Sequence, residues 1–402
     1  MKNLELYIHI PFCVKKCQYC DFLSFPADED TQNAYVEALL SEIAYYGPKC
    51  RGYLVSTVYI GGGTPSWLRE EQIERIMETV HRSFSLAKDA EVSIECNPGT
   101  VTDRKFATYR RAGINRISIG LQSANDTELK TLGRIHTFDQ FLKTYDLARR
   151  NGFENINIDL MNSLPGQTIA AFADSLQQVL RLKPEHISAY SLIIEKGTPF
   201  YELYKFDAVK QQAGLPTVAL PTEEEVCQMT KMTEQQLAEA GYLHYEISNF
   251  AKPGYACAHN IGYWKRENYL GMGLGASSMM ENIRYTNIAE IYPYLEQTAY
   301  IREGIWENDG EGLPATNLHA SAERVGRKAQ MEEFMFLGLR MMDGISRDEF
   351  YRAFGVAIEA VYAEVFAKLQ AEGLLVKRAG RIYLTERGQD VSNYVLSHFL
   401  LS

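Results

Sequence analysis

The feature that most narrows what this chain can fold into is an alternation in its N-terminal half. Short apolar runs at 6–10, 57–60, 91–95, 116–120, 155–160 and 186–192 have strand character. Amphipathic patterns at 31–46, 70–83, 102–112, 138–151 and 168–182 separate them and read as helices. Strand and helix in regular succession make βα units, and βα units build a parallel sheet. Six repeats rather than eight predict an α/β fold with an open, partial (βα)6 barrel. In a barrel of this kind the C-terminal strand ends share one mouth.

Those strand ends are polar or glycine-rich. Cys13, Cys17 and Cys20 follow the first strand, and Gly61, Gly62, Gly63, Thr64 and Pro65 follow the second. Glu95, Cys96, Asn97 and Pro98 stand at the third, Gln122 and Ser123 after the fourth, and Asp159 at the end of the fifth. The mouth should therefore gather thiols, carboxylates and exposed backbone.

Further along, residues 204–221 read as a loop, and Thr222 with Glu225 opens a helix through a capping box. The glycine-rich stretch 271–278 is expected to return the chain to the barrel, and a second loop is expected at 309–317. The tail predicts helices at 327–342, 346–354 and 357–372, a hairpin at 374–384 turning through Ala379 and Gly380, and a last helix. The expected organisation is a barrel domain over 1–305 and a small winged-helix-like α+β domain over 306–402, which suits a chain of 402 residues. Residues 310–402 hold 12 acidic and 11 basic side chains, so a packing or lid role fits this tail better than DNA binding. The net charge of −10 likewise speaks against nucleic acid as a partner. No apolar run approaches the roughly 18 residues of a membrane span, and the first residues carry no secretory pattern, so the expected location is cytoplasmic.

Seven cysteines are present, and Cys50, Cys96, Cys227 and Cys257 are scattered, with core packing the default role. In a chain without a leader, clustered thiols read as metal chemistry rather than as disulfides. The C-x3-C-x2-C run of Cys13, Cys17 and Cys20 lets one tight loop wrap a 4Fe-4S cubane. Three ligands leave one iron open to chelate an amino acid's amine and carboxylate. A zinc site is the alternative, although zinc normally takes four protein ligands and paired C-x2-C units; His9 would be the fourth ligand.

These residues resemble the radical S-adenosylmethionine (SAM) superfamily over about residues 5–300. The strings YIHIPFC (7–13), YIGGGTP (59–65), ISIGLQS (117–123) and LGRIH (132–136) resemble one branch of it. That branch holds oxygen-independent coproporphyrinogen III dehydrogenase and the HemW haem chaperones. The resemblance implies a 4Fe-4S cluster on Cys13, Cys17 and Cys20, with SAM bound to it. It further implies that Tyr7, Gly62, Gly63 and Thr64 contact the methionine part, and that Arg134 pairs with its carboxylate. Glu95, Gln122 and Asp159 offer further polar contacts, against the plainer role of a helix cap for the two carboxylates. The glycine loop is no phosphate loop, because no Lys-Ser or Lys-Thr pair follows it.

Within the branch, the dehydrogenase has a further cysteine where Phe22 stands here, and a longer stretch before the first strand than the six residues preceding Tyr7. HNIGYW at 259–264 resembles the H-N-x-x-Y-W motif of the haem chaperones. In them the histidine is implicated in haem binding, so the resemblance assigns His259 to haem, with Tyr263 and Trp264 able to stack on a porphyrin. Read alone, His259 and Asn260 would equally be hydrogen-bonded supports for residues 271–278.

Three functions stand in order. The first is a haem chaperone that carries haem to an acceptor protein, with the cluster and SAM regulating it. The second is a porphyrin-biosynthesis enzyme of the dehydrogenase type. There an electron donor reduces the cluster, and a 5′-deoxyadenosyl radical takes hydrogen from a porphyrinogen propionate. The third is a winged-helix scaffold. Whether the chain is an enzyme stays open at this point.

Overall fold

The computed structural model describes residues 1–303 and 317–401. Apart from Asn317, the loop expected at 309–317 lies outside the described residues, as does the expected boundary at 305/306. Six parallel strands lie side by side in sequence order: β1 (Lys2–Ile10), β2 (Tyr53–Gly62), β3 (Leu86–Cys96), β4 (Arg116–Gln122), β5 (Ile156–Asn162) and β6 (His186–Ser191). Helices Glu29–Tyr46, Glu70–Ser83, Asp103–Arg111, Phe138–Arg150 and Ile169–Leu182 connect them, as the alternation requires.

A period of two along the strands separates outside from inside. Leu4, Leu6, Ile8 and Ile10 of β1, Val58 and Ile60 of β2, and Ile117 and Ile119 of β4 are fully buried in one apolar core with the helices. Each such side chain contributes about 1.5–3 kcal/mol by leaving water. The alternate positions are polar: Glu5, Tyr7 and His9; Thr57 and Tyr59; Glu91, Ser93 and Glu95; Asn157 and Asp159. They bond to one another between neighbouring strands, as Asn157 of β5 does with Ser118 of β4 and His186 of β6.

The sheet is larger than six strands. Antiparallel β7 (Leu243–Glu246) and β8 (Asn249–Ala251) extend it past β6. At the other edge β9 (Tyr269–Met272) runs parallel to β1, so the 271–278 segment does return to the barrel. Then come β10 (Ser277–Met280), β11 (Ile283–Asn287) and β12 (His319–Arg324), making twelve strands in the order β12-β11-β10-β9-β1-β2-β3-β4-β5-β6-β8-β7. Residues 319–324 thus pair with the large sheet, and the second core begins at Met331.

One expectation is corrected. Residues 204–212 are not loop but part of a helix, Pro199–Gln212, which Thr198 caps with Pro199 in the first turn. The helix buries only Phe200 and Asp207, and Leu203, Phe206 and Val209 are exposed, so the periodicity that would announce it is missing. Its end is held by Asp207, whose Oδ2 accepts from the backbone N–H groups of Val218, Ala219 and Leu220.

The C-terminal domain has helices Arg327–Gly338, Arg347–Phe354 and Ile358–Ala371 and a small antiparallel sheet in the order β13 (Ile345–Ser346), β15 (Arg381–Leu384), β14 (Leu375–Arg378). Two short helices, Glu386–Asp390 and Ser392–Ser397, close the chain. The arrangement is winged-helix-like. Its first helix is tied to the barrel through Glu333, which pairs with Arg266 and Arg284, both at 2.8 Å.

Candidate functional site

The loop after β1 is pinned on several sides before any ligand is considered. Cys13 N–H donates to Phe25 O (3.1 Å), Phe25 N–H to Pro11 O (2.9 Å), and Gln18 N–H to Leu132 O (3.0 Å). Gly63 and Thr64 donate their N–H groups to Ile10 O and Phe12 O at 2.8 and 2.7 Å, locking the glycine loop against the thiol loop. A Cβ on Gly63 would lie 2.8 Å from Phe12 O and 3.1 Å from the Cys13 sulfur, and one on Gly62 (φ +114°) would strike the His9 ring. Only glycine permits this approach.

One cleft joins Cys13, Cys17 and Cys20 to the glycine loop, Glu95, Gln122, Arg134 and Asp159. All three thiols are free, and Cys17 and Cys20 are partly exposed. Arg134 donates through Nη2 to Asn97 Oδ1 and Gly120 O, both at 2.7 Å, and points Nη1 at the Cys17 sulfur, 3.7 Å away. Its buried Nε has no partner among the described residues. A guanidinium beside thiols with an unspent donor fits thiolate ligands and an incoming carboxylate. Among the described residues no three His, Cys, Asp or Glu side chains are gathered closely enough to hold a single metal ion.

Glu95 accepts from Gly62 N–H and from Tyr59 O–H, both at 3.0 Å. Burial first, then the nearby Asp159, pushes its carboxyl up to about 7. Asp159, raised by burial, accepts from Asn157 Nδ2 at 2.7 Å. Gln122 sits at φ +74° and its Oε1 accepts from Tyr190 O–H at 3.0 Å. Asn97, at the end of the third strand, and Tyr59, the first residue of YIGGGTP, thus take part in the site although the motifs assign them no role, and Tyr190 joins it without any motif signal. Tyr59 was nevertheless readable: it has the same strand parity as Thr57 and Gly61, which places it in the lumen.

Two expected residues stand elsewhere. Tyr7 bonds its hydroxyl to His9 Nδ1 (3.0 Å) and lines a separate cavity of about 670 Å3 on the open side of the barrel. His259 lies on the short helix Ala258–Trp264 at the level of Glu5, Thr57 and Glu91. That level is five residues back along β1 from Ile10, roughly 16 Å at the usual strand rise. Glu91 caps this helix, accepting from Ala258 and His259 N–H at 3.1 and 3.3 Å. His259 is 1% exposed, with Nδ1 bonded to Thr57 Oγ1 (2.7 Å) and Nε2 to Tyr263 O–H (3.0 Å). Burial and then Arg116 lower its pKa to about 3, so the ring stays neutral. In this conformation both ring nitrogens are engaged, by Thr57 of β2 and by Tyr263 of the same helix rather than by the 271–278 segment that His259 and Asn260 were expected to support. Cys257 is buried, with its thiol directed at Glu91.

Comparison with known proteins agrees with this architecture. The radical SAM superfamily matches residues 7–179, and the HemN C-terminal domain matches residues 325–391. The haem chaperone HemW of Lactococcus lactis subsp. lactis is 36% identical over 400 residues, spanning 100% of this chain and 98% of its own. That of Bacillus subtilis is 35% identical over 395 residues, spanning 98% of each. The solved coproporphyrinogen III oxidase HemN of Escherichia coli, a radical SAM enzyme, superposes with a TM-score of 0.82 at 25% identity, covering 99% of this chain and 90% of that one. With its partial barrel, thiol loop and winged-helix-like tail, this chain belongs to the HemW family of the radical SAM superfamily.

Proposed function

We propose that the protein binds haem and passes it to an acceptor protein in the cytoplasm, while holding a 4Fe-4S cluster and exchangeable SAM at the barrel mouth. The observation that carries the haem half is the seating of the HNIGYW helix. Its His259 is locked inside, and its Tyr263 and Trp264 line the large cavity. The relatives' printed description as haem chaperones supports the same reading.

Cys13, Cys17 and Cys20 would hold the cluster, whose chemistry when bound and reduced would be to supply an electron to the sulfonium of SAM. The chain's own groups do the rest. Arg134 would take the cofactor's carboxylate on its unspent Nε, Glu95 would accept from the ammonium or ribose hydroxyls, and the Gly62–Gly63 backbone leaves room for methionine. Exposed Phe22, at the rim, offers no thiol for a further ligand.

The test mixes anaerobically reconstituted protein with haemin and SAM and follows absorbance and products. Saturable haem uptake without loss of carboxyl groups from coproporphyrinogen is the expected result. Conversion of coproporphyrinogen with release of 5′-deoxyadenosine would replace this reading with the dehydrogenase one, which the likeness to HemN favours.

A further inference from the structure

The cavity of about 670 Å3 lies where the open side of the barrel meets the first helix of the C-terminal domain. Its size falls within the roughly 300–1,000 Å3 of small-molecule and cofactor sites. Aromatic and apolar groups dominate its walls: Tyr263, Trp264, Tyr269 and Met279 from the barrel side, Phe336 and Leu337 from the tail. Leu23, on the thiol loop, is also part of the wall. Such walls suit a flat, apolar ring system.

Charge stands on one side only. Arg266 and Arg284 share the single carboxylate of Glu333, and Glu323, 3.7 Å from Arg284, is largely exposed. Two buried or half-buried cations against one buried anion leave room for a carboxylate on Arg284, itself part of the cavity wall. Trp264 adds a second unspent group, a buried Nε1–H without a partner among the described residues.

The residue of the HNIGYW helix that reaches both this cavity and His259 is Tyr263. Phenolate is a known haem-iron ligand. We infer that this cavity is a ferric-haem site in which Tyr263 ligates the iron, His259 positions it and Arg284 pairs with a propionate. The inference rests on the haem-binding reading above. On ligation the iron–oxygen bond forms as the Tyr263 O–H bond breaks. The proton leaves to water through the cavity, His259 stays neutral with Nε2–H turned to the phenolate oxygen and Nδ1 accepting from Thr57 O–H, and iron stays ferric.

The experiment titrates full-length protein with haemin and records absorbance, electron paramagnetic resonance and resonance Raman spectra, with cluster loading as the folding control. Wild type should show high-spin ferric haem with phenolate-to-iron charge transfer. Tyr263→Phe should lose that signature and bind at least about tenfold more weakly. His259→Asn should keep the signature but shift its energy, which a merely structural role would not do. Arg284→Ala should keep it unshifted and weaken haemin about tenfold. The same variant should bind the propionate dimethyl ester as wild type does. Wild type that takes up no haem overturns the haem-binding reading itself. Wild type that binds haem with an imidazole-ligated, low-spin spectrum, or Tyr263→Phe with unchanged spectrum and affinity, overturns this inference alone.

Discussion

The mouth of the barrel and the level of the HNIGYW helix are built from the same strands but finished in opposite ways. At the mouth the polar groups have spare capacity: free thiols, an unspent Arg134 Nε, a glycine backbone where no Cβ fits. Five residues down β1, His259 has both ring nitrogens bonded and Glu91 caps the helix. The first region is prepared to be completed by something from outside; in the second the motif histidine is already spent on protein partners. Motif residues with equal sequence prominence can therefore differ in whether they meet a ligand or hold the group that does.

That contrast can be broken most directly at the mouth. Cys17→Ala should abolish cluster loading, read from iron content and absorbance; a full cluster in this variant would show the ligand set wrong. His259→Ala should act in the opposite manner. It strips Thr57 and Tyr263 of their partner and opens a void, for about 2–4 kcal/mol of lost stability in a thermal or denaturant melt, while cluster loading at low temperature persists. Gly63→Ala presses a methyl group onto Phe12 O and the Cys13 sulfur, and should cost about 1–3 kcal/mol together with cluster occupancy.

The smallest effect is a pH dependence at Glu95. Its carboxyl is raised from 4.5 to about 7 by burial and Asp159, so the folded state holds a proton the unfolded chain has released between those values. Stability from this group is present in full below 4.5 and falls as pH rises to about 7. An ammonium on SAM favours the ionised form, so its affinity should climb by up to about tenfold per pH unit below 7 and level off above. Calorimetric titration across this range checks it, and Glu95→Gln should flatten both curves.

The barrel was readable because its strands are long and buried on one face, and the thiol loop because spacing alone restricts what three cysteines can hold. The helix at 199–212 was not, since an element that buries two of its side chains leaves no period to detect. Strands such as β8 and β10, three and four residues long, are fixed by the neighbours they pair with rather than by their own composition. Tyr7 was expected at the methionine part of SAM and His259 at haem, but sequence holds no measure of depth, and depth separates both from the thiol loop.

Tyr59 spans that depth. Its ring stacks on His259 with centroids 5.1 Å apart, and its hydroxyl donates to Glu95. One rigid side chain is thus a wall of the buried helix's site and a ligand of the mouth's carboxylate. Thermodynamic reciprocity then applies: whatever factor SAM at the mouth imposes on binding beside His259, binding there must return to SAM. Under the haem-carrier proposal, wiring of this kind would let each of the two holds register how full the other is.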